Sequence, residues 1–333
     1  MEYPTVVREM TPGKRAEYDV FIAAVGYERR ARYVVQELQP EASRKLGIGF
    51  EDRQVFEYSN NREILTRRGY RVEVVADGDL LEWLEREMMK GPLRERDRIR
   101  VGVDISSFSR FRIAAIVHAL RRVPRLLHKL CVAEFYYSVA LFSKPPKSAG
   151  PNIVVGPVAH YFAGWTTRPD LPLAAVLGLG YEEDKALGAF EHVQASARWL
   201  VRPISIDHRF DTAVTNANRR LLEGTPAGRV LGYCVSDPLG CFGIVESLVF
   251  GLTRDYNIIV LPFGPKPFAL CSLLVACIHP SVAVWRVSAG GFEDPKDQKA
   301  SGNVYGLQVE FNYPEEGNRG GPSGCNGGDD STD

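Results

Sequence analysis

The segment VDISSFSRFRIAAIVHAL (residues 103–120) decides the fold, because it joins three kinds of pattern in one stretch. A short apolar run ends at Asp104, a serine-rich turn follows, and apolar residues then recur at helical spacing. A second apolar run, VAEFYYSVA (132–140), comes next. Strand, loop, helix and strand in this order predict a βαβ unit, and the unbroken apolar strands predict a mainly parallel sheet buried on both faces.

The chain contains a second copy of this unit. VLPFGPKPFALCSLLVAC (260–277) is followed by VAVWRVSAG (282–290), and Phe111 matches Phe268 at an offset of 157 residues. Three more pairs of segments occur in the same order, at offsets of 154 to 158 residues: FIAAVGYERRA (21–31) with AVLGLGYEEDKA (175–186), SNNREIL (59–65) with TNANRRLL (215–222), and VVADGDLLEWLEREM (74–88) with CVSDPLGCFGIVESLV (234–249). A repeated order at a nearly fixed period indicates internal duplication. The alternative is two similar strand–loop–helix units of the kind found in any α/β protein.

The fold class that follows is α/β, with two tandem Rossmann-like, doubly wound and mainly parallel sheets related by internal duplication. We predict a first half over residues 1–160, with NIVVGPV (152–158) as its last strand. The second half covers 161–312, with NVYGLQVEF (303–311) as the corresponding strand. Residues 313–333 are polar and rich in Gly, and predict a disordered tail.

Composition excludes several classes of protein. Of the 333 residues, 45% are hydrophobic and 25% are charged, which excludes disordered and fibrous chains. Lys plus Arg equals Asp plus Glu at 41 each, so a globally basic nucleic-acid coat is disfavoured, although local nucleic-acid binding is not excluded. No apolar leader is visible, the apolar run at 268–278 is too short to span a bilayer, and the six cysteines form no C-x-x-C pair. We therefore predict a cytoplasmic protein with no membrane partner.

The loops between strand and helix are the first candidate site. Ser106, Ser107 and Ser109 offer hydroxyl groups, and Arg110 offers a cation, where backbone N–H groups at a helix start attract anions. The second copy supplies Gly264 and Lys266 at the same place. The pair is typical of phosphate or nucleotide loops. The alternative is ordinary helix capping beside a solvated cation.

The Gly-Tyr-Glu turns are the second candidate site, at Gly26-Tyr27-Glu28 and Gly180-Tyr181-Glu182. Glycine allows a sharp turn after the first strand of each half, tyrosine can stack on a base, and glutamate can accept from a ribose or base edge. The alternative is a packing tyrosine with a glutamate that suits a helix N-terminus. Neither turn has the G-x-G-x-x-G pattern and no Walker A loop occurs, so no cofactor is predicted. The six histidines lack metal-ligand spacing, so no metal is predicted.

Asp104 is the one candidate catalytic residue. It ends a buried strand directly before the serine loop, where a carboxylate can bind a hydroxyl or a metal, or act as a base. It can equally hold the loop by accepting from Ser hydroxyl and N–H groups. Four asparagines are predicted to cap helices, at positions 60, 61, 216 and 218.

At these residues the sequence resembles the CRISPR-associated Rossmann-fold (CARF) sensor family. In that family a strand ends in a Gly/Ser/Thr loop with a Lys, and a helix that begins with an apolar residue follows. VDISSFSRFRIAAIVHAL looks like this pattern, VLPFGPKPFALCSLLVAC is similar, and the family's loop Lys would correspond to Arg110 and Lys266. The usual Gly-Gly-Thr is replaced by 107–109 and 263–265.

The resemblance implies a sensor of a cyclic oligonucleotide in prokaryotic antiviral defence. The ligand would lie in the cleft between the two pseudo-symmetric halves, and a separate effector protein would act on the signal. Two alternatives stay open. One is an enzyme on a nucleotide or phosphosugar at the same cleft, for example by phosphodiester ring-opening, with Asp104 as base or metal ligand. The other is a non-catalytic subunit of a defence complex.

Overall fold

The computed structural model describes residues 4–90, 97–145, 151–288 and 295–312. The tail predicted at 313–333 lies outside this part of the chain. The elements, in chain order, are β1 (Pro4–Met10), β2 (Glu17–Val25), α1 (Tyr33–Glu37), β3 (Glu41–Gly49), α2 (Tyr58–Arg67), β4 (Arg71–Val74), α3 (Leu80–Met88), β5 (Arg98–Asp104), α4 (Arg110–Leu127), β6 (Leu130–Ala140), β7 (Val154–Pro157), β8 (Leu173–Gly178), α5 (Lys185–Val193), β9 (Ala197–Ile204), α6 (His208–Ala217), α7 (Arg219–Glu223), β10 (Val230–Cys234), α8 (Pro238–Leu252), β11 (Asn257–Pro262), α9 (Lys266–Ile278), β12 (Ala283–Ser288) and β13 (Ala300–Phe311).

The predicted fold class is confirmed. Within the described residues, one sheet has the strand order β1-β13-β6-β5-β2-β3-β4 and the other has the order β10-β9-β8-β11-β12-β7. The five strands from β2 to β6 pair in parallel, and the strands β8 to β12 pair in parallel with the same connectivity. β2 is buried over all but its first residue, as a central parallel strand requires.

The strand that completes each sheet comes from the other half of the chain, contrary to the prediction. β7 pairs antiparallel with β12, so the segment 152–158 extends the second sheet rather than ending the first. β13 pairs antiparallel with β6 and with β1, so the segment 303–311 joins the first sheet. Both segments form strands as predicted, but their sequences cannot say which sheet edge they join, because the two halves offer similar edges.

One continuous apolar cluster joins the two halves, and each half has a further cluster of its own. α4 and α9 lie against each other between the sheets, and buried residues of both halves, such as Ile116 and Leu274, belong to one continuous cluster. α9 is buried on nearly all sides, which explains why its sequence KPFALCSLLVACI is apolar all round. Because the helices that follow the two loops pack together, the loops themselves are brought face to face.

Among the described residues, no helix combines the length and the apolar character needed to cross a membrane.

Candidate functional site

The two sheets direct the same pair of loops towards a common centre. In each half, the first parallel strand (β2 or β8) lies beside the fourth (β5 or β11) in the middle of the sheet. From the first strand the chain continues towards one edge of the sheet, and from the fourth strand it continues towards the other edge. Open α/β sheets bind ligands at this crevice, outside the carboxyl ends of the strands. Here the crevice is formed by the loops after β2 and β5 in the first half, and by those after β8 and β11 in the second.

The two predicted cations cross between the halves. Arg110 Nη2 donates to the backbone oxygens of Phe263 (2.7 Å) and Gly264 (3.0 Å). Lys266 Nζ in turn donates to the backbone oxygen of Ser106. Each cation therefore holds the loop of the opposite half, and both are located at the centre of the molecule rather than on its outer surfaces.

A cavity of about 230 Å³ lies between these loops. Seven predicted site residues line it: Glu28, Arg110, Gly180, Tyr181, Glu182, Gly264 and Lys266. Sequence reasoning missed a further set of lining residues that carry polar or aromatic groups: Arg30, Tyr137, Ser205, Phe210, Asp211, Phe263 and Gln298. Most of the lining residues belong to the second half. The cavity is therefore asymmetric, although the parallel strands of the two sheets have the same connectivity.

Six predicted residues do not line the cavity. Gly26, Ser106 and Ser107 lie behind its wall, and a Cβ on Gly26 would approach the Ser107 Cβ to 3.0 Å. Ser109 Oγ accepts from the Arg112 backbone N–H at 3.2 Å and caps α4, as the helix-capping alternative proposed. The Tyr27 ring lies 6.3 Å from the Phe56 ring on the outer side of its turn.

Asp104, the sixth, anchors the serine loop from below. Its carboxylate accepts from the Ser106 N–H (2.9 Å) and from the Ser106 hydroxyl (2.5 Å), and the same hydroxyl accepts from the Ser138 N–H (2.7 Å). Burial raises the pKa of Asp104 to about 6, although the bonds from Ser106 oppose that shift. The carboxylate is 1% exposed, so its observed role is to hold the loop.

The second loop turns the N–H groups of Phe263 and Gly264 inward, away from a ligand. The N–H groups of Phe263 and Gly264 both donate to the backbone oxygen of Gly178, at 2.8 and 3.1 Å. Pro265 and Pro267 have no N–H to offer. A Cβ on Gly264 would lie 2.5 Å from the Leu179 backbone oxygen, so this glycine allows two loops to touch. The side-chain cations Arg110 and Lys266 are therefore the main anion-attracting groups at this end of the cavity.

Lys266 is the most perturbed of these cations. Burial lowers the pKa of Lys266 to about 7, against the opposing effect of the Glu28 carboxylate, and Arg30 and Arg110 add to the lowering. A lysine in this state is close to half protonated at neutral pH. It becomes a full cation when an anion enters the cavity beside it.

Glu28 and Arg30, which also line the cavity, form a close pair. Arg30 Nε donates to Glu28 Oε2 at 2.5 Å, and Arg30 Nη1 reaches the Ser138 backbone oxygen at 3.3 Å. Burial alone would raise the pKa of Glu28, but Arg30 and Lys266 hold it below its usual value. The pKa of Arg30 is raised, because Glu28 more than offsets the effect of burial.

Two buried asparagines hold the Gly-Tyr-Glu turns, and the prediction that they cap helices is wrong. Asn61 lies within α2, and its amide donates to the backbone oxygens of Gly26 and Glu28, both at 2.8 Å. Asn218 follows α6, and its amide donates to the backbone oxygens of Gly180 (2.7 Å) and Val214 (2.8 Å). The two asparagines are 157 residues apart, which is the offset of the repeat.

An open groove of about 490 Å³ shares the Tyr181 wall with the cavity. Lys144 and Arg209 line it, and the Arg209 guanidinium lies 5.0 Å from the centre of the Phe142 ring. The groove therefore adds two cationic side chains to those of the cavity, although Glu183 also lines it and Arg209 pairs with Asp207.

Among the residues that the structure places, no group of three or more His, Cys, Asp or Glu side chains is arranged to hold a metal ion. No protein-family model matches the chain, and no curated protein is significantly similar to it.

Proposed function

We propose that this protein binds a phosphorylated, nucleotide-type ligand in the cavity between its two halves. The observation that carries the proposal is that the two binding crevices of the duplicated fold open onto one cavity, with Arg110 and Lys266 at its centre. Cations beside such a crevice favour a phosphate group. The rings of Tyr181 and Phe210 offer an apolar wall for a base or sugar.

The cavity volume limits the ligand. At about 230 Å³ the cavity is smaller than the pockets of roughly 300 to 1,000 Å³ that enclose drug-sized ligands, so it holds no more than about one nucleotide unit. A cyclic oligonucleotide, the ligand that the CARF resemblance implies, would need the adjoining groove for its remaining units. Lys144 and Arg209 would then face its outer phosphates.

The hydrogen bonds that Arg110 and Lys266 make between the halves offer a route by which ligand binding changes the structure. Arg110 and Lys266 bind loop oxygens of the opposite half, and an anion between them competes for the same N–H donors. Movement of either loop is passed to α4 or α9, which begin at these residues and pack together. In prokaryotic antiviral defence, a separate effector protein would read this change.

Calorimetry with nucleoside monophosphates, cyclic di- to tetranucleotides and inorganic phosphate tests the proposal. We expect at least one nucleotide to bind, and Lys266→Met and Arg110→Met each to weaken it at least tenfold, because each removes one cation beside the phosphate. The matched control is Arg67→Met, which removes an exposed cation on α2 and leaves binding unchanged. If no probe binds at millimolar concentration, or if the cavity variants bind like the native chain, the proposal is wrong.

The same samples distinguish binding from catalysis. Mass spectrometry of the recovered nucleotide shows an intact ligand if the protein is a sensor. A cleaved product that disappears in Asp104→Asn would instead support the enzyme alternative, with the buried Asp104 exposed during turnover.

A further inference from the structure

The glutamates of the two Gly-Tyr-Glu turns differ in what they contact. Glu28 receives a charged hydrogen bond from Arg30 Nε at 2.5 Å, and the Ser107 hydroxyl lies 3.4 Å from the same oxygen. Its carboxylate is therefore supplied with donors from within the chain. Glu182 occupies the equivalent place in the second turn and lines the cavity.

Both donors of Glu28 are replaced in the second copy by residues without a side-chain donor. The counterpart of Arg30 is Asp184, at the turn's offset of 154, and the counterpart of Ser107 is Gly264, at the loop's offset of 157. Asp184 instead pairs with Arg220, at 3.1 Å. Within the part of the chain that the structure describes, the Glu182 carboxylate has neither a hydrogen-bond donor nor a cation as partner.

A partly enclosed carboxylate that receives no donor from the protein favours a ligand that supplies one. The first turn shows what fits: a flat guanidinium whose N–H points at the carboxylate. The Watson–Crick edge of guanine is chemically the same group, since N1–H and the 2-amino N–H lie side by side on one planar amidine. Adenine presents one donor beside an acceptor, and uracil presents one N–H between two carbonyl oxygens.

We propose that the ligand carries a guanine base, that Glu182 binds its N1–H and 2-amino groups, and that its phosphate is directed towards Arg110 and Lys266. This inference rests on the proposed nucleotide binding and adds the identity of the base. Tyr181 and Phe210, whose ring centres are 6.0 Å apart, form the wall along which the base lies. Glu182 is thus the specificity-determining residue of the site.

Calorimetry with four monophosphates tests the base directly. We expect guanosine monophosphate to bind at least tenfold more tightly than adenosine monophosphate, because adenine leaves the carboxylate facing an acceptor. Inosine monophosphate, which keeps N1–H and lacks the amino group, falls between them. Equal affinity for the guanine and adenine nucleotides overturns the inference while leaving nucleotide binding itself intact, whereas no binding of any nucleotide overturns both.

The variant Glu182→Gln is expected to change the base preference, which a purely structural role of Glu182 would leave unchanged. The amide presents one acceptor and one donor, which complement N1–H and the 2-oxo group of xanthine. We expect the variant to lose at least tenfold in affinity for guanosine monophosphate and to gain affinity for xanthosine monophosphate. Glu191→Gln, on the exposed face of α5 outside the cavity, is the matched control and keeps the guanine preference. A variant that weakens all four nucleotides equally, or none, overturns the assignment of Glu182.

Discussion

The two Gly-Tyr-Glu turns share a backbone framework and differ in side-chain chemistry. In both, a buried asparagine holds the glycine carbonyl from the following helix. In the first turn Arg30 neutralises the glutamate, whereas the second turn leaves Glu182 facing a cavity. The comparison indicates that both copies keep the hydrogen bonds that shape the turn, whereas only the first copy keeps a cation that neutralises the glutamate.

The two halves differ in a similar way at the ends of the next pair of strands, which are β3 and β4 in the first half and β9 and β10 in the second. In the first half, the Arg112 guanidinium is 2% exposed and donates to the backbone oxygens of Gly49 (2.9 Å) and Val75 (2.8 Å), and to Asp77 (2.7 Å). It also lies 3.9 Å from the centre of the Phe50 ring. The repeat places Ala269 at the corresponding position in the second half, and Ser205 and Val235 line the open cavity there.

The largest expected effect concerns the exchanged strands. A chain ended at residue 299 lacks β13, so β6 and β1 lose their partner and the buried side chains Leu307, Val309 and Phe311 are removed. We expect a loss of about 5 kcal/mol or more, at about 1.5–3 kcal/mol for each buried side chain. Hydrogen exchange should rise in β6 before it rises in β12.

A chain ended at residue 312 keeps β13 and is the control for this truncation. If the shorter chain instead lost protection in β12 while β6 stayed protected, the assignment of β13 to the first sheet would be wrong.

The next largest effect concerns Arg112, which fills the space at the ends of β3 and β4 in the first half. Arg112→Ala removes the donor of the buried Val75 backbone oxygen, one of the donors of the Gly49 oxygen and the partner of Asp77, and we expect it to lower the free energy of unfolding by about 3 kcal/mol. Arg122→Ala on the same helix removes a half-exposed ion pair with Glu85 and should change it by less than about 1 kcal/mol. Urea unfolding measures both, and equal effects would contradict the structural role of Arg112.

The asparagines test the shared framework. Asn61→Ala leaves the Gly26 backbone oxygen without its donor and Asn218→Ala does the same to the Gly180 backbone oxygen, so each should lower the free energy of unfolding by about 2 kcal/mol. Asn60→Ala, an exposed neighbour, should have an effect of about 0.5 kcal/mol or less. A large loss in one half and none in the other would show that the turns are not held alike.

A separate effect, on affinity rather than stability, is a pH dependence centred on Lys266. Its pKa in the free protein is about 7, and an anion in the cavity favours the protonated form and raises that pKa. Affinity for an anionic ligand is therefore highest below pH 7 and falls, by up to about tenfold per pH unit, as pH rises through 7 towards 9. Lys266→Arg stays charged and should remove this decline, so a decline that persists in the variant would assign it to another group.

The same linkage affects stability with the opposite sign. The lysine binds a proton more weakly in the folded chain than in the unfolded chain, so its contribution to stability is most unfavourable below pH 7 and improves as pH rises towards 10.

Periodicity and repeats were enough to predict the two sheets, α3 and α4, and the meeting of Arg110 and Lys266 near one cleft. They could not predict which sheet β7 and β13 join, because the choice depends on the packing of whole halves. Phe210 and Asp211 were missed because they lie outside the matched motifs. Arg30 lies within the matched segment 21–31, but its counterpart in the second copy is Asp184, so the repeat did not single it out. One signal was available: GYERRA and GYEEDKA differ in charge directly after the shared Gly-Tyr-Glu.

The central claim is that two similar halves form one unsymmetrical site, and native mass spectrometry of the chain with a nucleotide panel tests it most directly. The account predicts one bound nucleotide per chain, retained in Arg67→Met and lost in Lys266→Met. Two nucleotides per chain would mean that the halves are equivalent, and none at saturating concentration would mean that the cavity is not a nucleotide site.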